Sequence, residues 1–467
     1  MIKDKVTIAV GNVYSMLSDY TEELEKKLTC AYENYWFSPK YKSGLWDGMY
    51  HFLKIPSLKF PTGLMFLVTE YLKENGIEYE FIDNRKVVNP SAFILSDDML
   101  EGITLRDYQK DAVREAVVNS RGILELPTGS GKTEIAIAVT KALRLKTLFL
   151  VNTKDLLHQT RERFKKRLGC DVGIVGDSLI IGDDENITIA TVQTVNSLMK
   201  SNLKETKKWL NKFEVIFFDE CHHASSQTFY KVGMFCHGAY YRFGLSGTAL
   251  RRDRLSNLKL MALTGEQIYK LPAQELIDKG DISDIEIKIF NYPGLEYYGE
   301  KWLEIYDKGI VRNEQRNDVI ANIACKDFAF GKRVMILVRY IEHGEILENK
   351  LQNEYKLPCV FIHGSHTSKE RKEVKEMFDK DGDFILIASP IYNEGVDIPT
   401  VNSLIIGAGG KSEVRTIQQV GRGLRKKDDG SKLIVYDFQD TGKFLTKHSE
   451  KRIEIYKKEF NYKGDVK

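Results

Sequence analysis

Apolar positions along the chain follow two kinds of pattern, and the change between them divides it. Through residues 1–97 the pattern is mixed. Val6-Thr7-Ile8-Ala9-Val10 alternates with the two-residue period of a half-buried strand, and Tyr20 to Tyr32 has the spacing of an amphipathic helix. A second helix is predicted over Leu64–Asn75, closing at Gly76 because glycine accepts the left-handed backbone of a helix end; Ile77–Ile82 then reads as a strand. Together these predict a small α+β domain.

From about Leu105 the apolar residues gather into short unbroken runs: Gly122–Leu126, Thr147–Val151, Ile187–Ala190, Val215–Phe218 and Arg242–Leu245. A strand with no polar side is one covered on both faces, as in a parallel sheet flanked by helices. A second series follows at Val334–Val338, Val360–Ile362, Phe384–Ala388, Leu404–Ile406 and Leu433–Tyr436. The expectation is α/β architecture in two consecutive parallel-sheet units, 98–275 and 276–467, with a changeover within 265–290 and a cleft between two lobes.

Length and composition sharpen this a little. A chain of 467 residues suggests about three domains. With 42% hydrophobic and 29% charged residues it reads as globular, and no apolar run of about 18 residues or signal-like N-terminus is visible, so a cytosolic, non-membrane protein is expected. The six cysteines form no CxxC pair, which argues against a zinc site or a disulfide framework. A formal net charge of +3 is too small to indicate nucleic acid, so that question falls to local motifs.

The first such motif is Pro127-Thr128-Gly129-Ser130-Gly131-Lys132-Thr133, between a predicted strand and the helical Glu134–Ala142. Glycines let the backbone wrap a phosphate chain, Lys132 reaches the terminal phosphates of ATP, and Thr133 offers a hydroxyl to Mg²⁺. Leu126 stands where the generic pattern has its first glycine. The second motif is Asp219-Glu220, delivered by a buried strand: Asp219 to hold Mg²⁺, Glu220 to orient and deprotonate the attacking water. The third is Gln418-Gln419-Val420-Gly421-Arg422-Gly423-Leu424-Arg425, whose arginines, three apart on one helical face, suit a developing negative charge; a solvated basic helix end is the alternative. Gln109, before the first lobe's opening helix, is a candidate adenine reader.

In this order the motifs resemble helicase superfamily 2 over residues 105–440. Leu105-Arg106-Asp107-Tyr108-Gln109 looks like the adenine motif, the PTGSGKT loop motif I, Asp219-Glu220-Cys221-His222 the DExH box, Ser246-Gly247-Thr248 motif III, Asn393 to Pro399 motif V and QQVGRGLR motif VI. The superfamily form of motif I does not require the glycine missing at Leu126. The resemblance implies two tandem RecA-like domains and an ATP hydrolase coupled to nucleic-acid unwinding. It implies that Arg106 and Gln109 bind nucleotide, that Gly395 and Asp397 join the nucleotide site to the strand, and that Gln418, Arg422 and Arg425 assist hydrolysis. His222, Ser246 and Thr248 are implied to couple ATP state to strand grip. Thr153-Lys154, Thr191, Gln193 and His363-Gly364 are candidate phosphate contacts, each also readable as an ordinary turn.

The front domain interleaves Tyr32, Tyr35, Trp36, Phe37, Tyr41, Trp46, Tyr50 and Phe52 with Lys40, Lys42, His51 and Lys54. Such aromatics either form a core or stack on bases. The stretch Phe37 to Gly48 resembles the N-terminal module of the UvsW-type phage helicases. With Asp47-Gly48 as a tight hairpin turn and Trp46 as its anchor, Lys40 and Lys42 are the preferred DNA contacts. That resemblance implies a monomeric helicase acting on branched DNA or on RNA in hybrids, through branch migration, fork regression or R-loop removal, with 3′-to-5′ polarity. An RNA helicase, or a junction-binding protein with a regulatory ATPase, are the other readings. Lys447–Lys458 is expected to be a basic helix with a solvated face.

Overall fold

The structure, a computed structural model, describes residues 5–86, 95–182, 184–223, 226–291, 301–380, 382–389, 398, 400–421, 423–424, 426–427 and 430–464. The chain divides into two compact units: Met1–Leu126 with Gly131–Lys270, and Leu271–Lys467 with the loop residues Pro127–Ser130. Among the described residues no helix is long and apolar enough to cross a membrane.

The front of the first unit is built from β1 (Lys5–Val10), β2 (Tyr14–Leu17), β3 (Thr29–Ala31), β4 (Met49–His51), β5 (Lys59–Pro61) and β6 (Glu78–Asp83). Four of these form a sheet in the order β5-β2-β1-β6, with β6 parallel to β1, while β3 and β4 pair separately. Val6, Ile8 and Leu17 bury their side chains with Leu24, Phe52, Phe60, Leu64 and Val68, and the same core takes in Leu255, Leu258 and Ala262 from the helix Arg254–Thr264. Gly63 fits against that helix so closely that a Cβ there would lie 2.0 Å from the Met261 carbonyl oxygen. The front module therefore shares one core with the remainder of the first unit.

Two front-module expectations are corrected. The helix predicted over Tyr20–Tyr32 spans only Glu22–Lys27, capped by the Thr21 hydroxyl, which accepts from the Leu24 amide at 3.1 Å. Leu28, Cys30 and Tyr32 fit a two-residue period as well as a helical one, and pairing of β3 with β4 decides for the strand. Asp47-Gly48 is not a hairpin turn between adjacent strands. The connection from β3 to β4 passes through the short helical turns Tyr35–Phe37 and Pro39–Lys42, and Asp47-Gly48 only redirects the chain into β4, Gly48 at φ +80° and the Asp47 carboxylate accepting from the Met49 amide.

The rest of the first unit holds β7 (Arg121–Glu125), β8 (Thr147–Val151), β9 (Gly173–Gly176), β10 (Leu179–Ile181), β11 (Ile187–Thr191), β12 (Val215–Asp219), β13 (Tyr241–Ser246) and β14 (Gln267–Lys270). They form one sheet, β10-β9-β11-β8-β12-β13-β7-β14, parallel except for β10. The second unit is a wholly parallel sheet of β15 (Ile285–Asn291), β16 (Val334–Leu337), β17 (Cys359–Ile362), β18 (Ile385–Ala388), β19 (Ser403–Ile406) and β20 (Leu433–Gln439), ordered β15-β20-β19-β16-β18-β17. Both sheets have the doubly covered strands the apolar runs predict, giving two tandem RecA-like domains.

The C-terminal helix Leu445–Phe460 has the solvated basic face expected of it and packs its other face on the core. Its lysines are solvated, but Ser449, Arg452, Ile455, Tyr456 and Phe460 are buried. Arg452 donates to both Asp437 oxygens at 2.8 and 3.0 Å and to Asp440 at 3.2 Å, and Arg316 donates to the other Asp440 oxygen at 2.9 Å. Removing one member of a buried charge network strands the others without solvent, a loss of about 3–5 kcal/mol. Arg452→Ala is therefore expected to lower the urea midpoint of the full chain sharply, whereas Lys447→Ala on the solvated face shifts stability by less than about 0.5 kcal/mol.

Candidate active site

Parallel strands all deliver their C-terminal ends to one edge of a sheet, and in the first unit that edge collects the predicted chemistry. β7 leads into the glycine loop, in which Gly129 and Gly131 take φ of +85° and +81°. The helix Lys132–Leu143 starts directly behind, and Lys132 Nζ folds back to donate to the Leu126 carbonyl at 3.4 Å. A Cβ at Gly131 would lie 2.4 Å from Gln109 Nε2, so glycine is required there for two reasons, its φ and the approach of Gln109. Gln109 is buried and its Oε1 accepts from the Arg106 amide at 3.0 Å, while Arg106 Nη1 donates to the Tyr108 hydroxyl. The amide of Gln109 is thus held against the start of the phosphate loop's helix.

β12 ends in Asp219, 8% exposed, and the next residue, Glu220, sits at φ +45°. A left-handed backbone costs a non-glycine residue roughly 1–2 kcal/mol, and it is tolerated here at a turn that brings Glu220 onto His222. His222 Nδ1 lies 3.3 Å from Glu220 Oε2 and 3.1 Å from Ser246 Oγ, which also accepts from the Thr248 amide at 3.1 Å. A carboxylate only accepts, so Nδ1 carries the proton. Burial lowers the His222 pKa against the pull of Glu220, which favours the neutral ring. The result is an unbroken polar chain, Glu220–His222–Ser246–Thr248, between the ends of β12 and β13.

Burial, then the charge of Glu220, pushes the Asp219 carboxyl up. For Glu220 burial acts the same way, but the Lys132 ammonium and the His222 hydrogen bond outweigh it and hold this carboxyl down. The two acids are thereby differentiated: Glu220 is a fixed anion, and Asp219 is the one whose charge needs a cation. Thr133 and Asp219 supply hard oxygen donors, the set that suits Mg²⁺ when nucleotide phosphates complete its shell.

Sequence reasoning missed Arg163, whose Nη1 lies 3.5 Å from Thr133 Oγ1 and whose Nε lies 3.7 Å from Glu134. It sits in a run of basic residues on the helix Lys154–Leu168, where spacing alone does not single it out. It also missed Glu125, a buried acid at the end of β7 held by Arg251 at 3.2 Å.

The candidate strand contacts separate into groups. Thr153-Lys154 and Thr191-Gln193 lie side by side because β8 and β11 are neighbours, Val151 opposite Thr191. Their side chains are unequal: the Thr153 hydroxyl caps its helix, Lys154 pairs with Asp177, Thr191 is buried and donates to Thr194, and Gln193 is exposed. In the second unit His363, stacked between Phe361 and His366, and exposed Gly364 follow the edge strand β17. In the front module Lys40 and Lys42 are exposed, as are Trp36 and Phe37, whereas Trp46 packs on Tyr32 and donates to the Met49 carbonyl. Gln418 lies on the helix Glu413–Gly421. Gly395, Asp397, Arg422 and Arg425 lie outside the described residues.

Because Glu220 is anchored through His222, its loss of charge is separable from loss of structure. Glu220→Gln is expected to lower the turnover of ATP hydrolysis by about 10²–10⁴-fold, with nucleotide affinity nearly unchanged, in steady-state ATPase and nucleotide-binding assays.

Residues 102–251 match the family model of the type III restriction enzyme res subunit, and residues 315–427 that of the helicase conserved C-terminal domain. A DNA 3'-5' translocase, XPB2, of Sulfurisphaera tokodaii is 30% identical over 402 residues, covering 79% of this chain and 87% of the relative. The ATP-dependent DNA helicase uvsW of Enterobacteria phage T4 is 25% identical over 94% of both chains. A fragment of a putative HsdR subunit of a type I restriction enzyme from Vibrio vulnificus has the same fold over 76% of this chain and 67% of its own, with TM-score 0.57 at 20% identity. Similarity to the translocase over most of both lengths, together with the two domain matches, establishes kinship: the chain belongs to the superfamily 2 helicases.

Proposed function

We propose that this ATP-dependent DNA helicase remodels branched DNA, by branch migration, fork regression or R-loop unwinding. The observation that carries the reading is the front module. It presents Lys40 and Lys42 beside exposed aromatic rings, Trp36 and Phe37. It is joined to the ATP-binding region through one hydrophobic core, so a duplex held by it would move with the motor. The relatives with matching length include a DNA 3'-5' translocase and the T4 helicase, which favours DNA and that polarity.

In this reading Lys132 and the backbone of Pro127–Thr133 hold the triphosphate, Arg106 and Gln109 serve the base, and Thr133 and Asp219 hold Mg²⁺. The ion would neutralise phosphate charge. Glu220 takes the proton of the attacking water, and the His222–Ser246–Thr248 chain reports its position. Gln418, Arg422 and Arg425 act on the developing phosphate charge, and Gly395 and Asp397 link nucleotide to strand. Thr153, Lys154, Thr191, Gln193, His363 and Gly364 face the tracked strand. The protein works as a monomer in the cytoplasm, that of the host if its origin is a phage.

The test is ATPase and strand displacement on four-way junctions, forks, R-loops and RNA duplexes. Junctions and forks should stimulate ATPase most and be resolved with ATP, and Lys132→Ala should bind them without moving them. Preference for RNA duplexes would replace this reading with the RNA helicase. Biological function retained by Lys132→Ala would point to a junction-binding protein.

A further inference from the structure

The chain between β19 and the helix Glu413–Gly421 reads Gly407-Ala408-Gly409-Gly410-Lys411-Ser412. Its carbonyls are gripped from within the second unit. Arg316 Nη1 donates to Gly407 O at 2.8 Å, the Tyr306 hydroxyl to Ala408 O, and Arg452 Nη1 to Gly410 O at 2.7 Å. The two arginines are themselves fixed by Asp437 and Asp440, so the loop rests on the same buried charge network that holds the C-terminal helix. Gly409 and Gly410, at φ +57° and +99°, allow the turn.

In front of this loop lies a cavity of about 270 Å³, walled by Trp302, Arg339, Lys411, Arg415, Gln419 and His448 among others, with no carboxylate among the described residues of its lining. The Arg339 guanidinium lies 5.5 Å from the ring centres of both Tyr306 and Tyr340, which limits where its charge can point. Gln419 is 2% exposed, and its Nε2 donor has no partner among the described residues; the same is true of His448 Nδ1. A buried donor left without an acceptor costs about 1–3 kcal/mol, so the site as built is short of an acceptor. Its lining cations are Arg339, Lys411 and Arg415, and burial, then Lys411, Arg452 and Arg339, push the His448 pKa down against the pull of Asp440.

Cations, an unpaired buried amide donor and a helix start converging on a space of this size call for a small ligand that is anionic and accepts on several sides. We propose that this pocket binds a phosphate group, either the phosphodiester of a bound strand or a free phosphate ion. The first source rests on the DNA-helicase reading; the second does not. The site is separate from the phosphate loop at Lys132 and is not among the strand contacts predicted from sequence.

The experiment uses the full chain, Lys411→Ala and Arg339→Ala, with Lys411→Arg as the conservative control and thermal melting to verify folding. One arm measures affinity for oligothymidylate against salt concentration. If the ligand is a phosphodiester, each alanine variant binds about tenfold more weakly, the effect of one charge-assisted hydrogen bond. The slope of log affinity against log salt falls by about 0.7 for the lost phosphate contact, and Lys411→Arg recovers both. The other arm measures retention of labelled orthophosphate by equilibrium dialysis, with saturating ADP filling the phosphate loop. If the ligand is free phosphate, the wild-type chain retains the ion, the alanine variants do not, and the DNA slope stays unchanged. Alanine variants that match wild type in both arms overturn the proposal. A wild-type chain that holds orthophosphate but no oligothymidylate removes the DNA reading and leaves the pocket standing.

Discussion

The constraint on which the rest depends is the placement of two carboxylates, Asp219 and Glu220, at the end of one buried strand, facing the charge of Lys132 and, more weakly at Asp219, of Arg163. Taking carboxylates out of water is unfavourable by several kcal/mol each unless they are paired or hydrogen-bonded. The structure resolves this by treating the acids differently: the left-handed turn at Glu220 carries it to the His222 proton, and Asp219 is left with a raised pKa. Asp219 is thereby the acid whose negative form an added cation would stabilise most.

The same turn ties Glu220 to the neighbouring strand. His222 Nδ1 has one proton and two acceptors in reach, the Glu220 carboxylate and Ser246 Oγ, and Ser246 Oγ is already the acceptor for the Thr248 amide. The proton is thus shared between the end of β12 and the end of β13. Three residues assigned to coupling on resemblance thus have a continuous physical connection.

Much of this was legible in the sequence because parallel sheets leave a strong trace. Strands covered on both faces must be apolar throughout, so Thr147–Val151 and Val215–Phe218 announce themselves, and the loop following each carries the chemistry. What was not legible depends on partners distant in the chain. Leu28, Cys30 and Tyr32 satisfy two periods at once, and only β4, nearly twenty residues on, selects the strand. Arg452 looks like one more basic residue of a charged helix until Asp437 and Asp440 are placed beneath it. Arg163 is one basic residue among several, and only the packing of its helix beside Lys132–Leu143 brings it to Thr133. Local spacing cannot report a contact that tertiary packing creates.

The shared core of the front module changes how its function has to be approached. Leu255, Leu258 and Ala262 belong to a helix that also packs on β13 and β7 of the ATP-binding sheet, yet their partners are Leu64, Val68 and their neighbours from the front. Removing the module would expose the helix face against which Gly63 now packs, and a loss of ATPase would follow from unfolding as readily as from lost DNA contact. Replacing Trp36, Phe37, Lys40 or Lys42 touches no part of this core. Any contact of the module with DNA is thus separable from its role in holding the first unit together only at the level of single side chains.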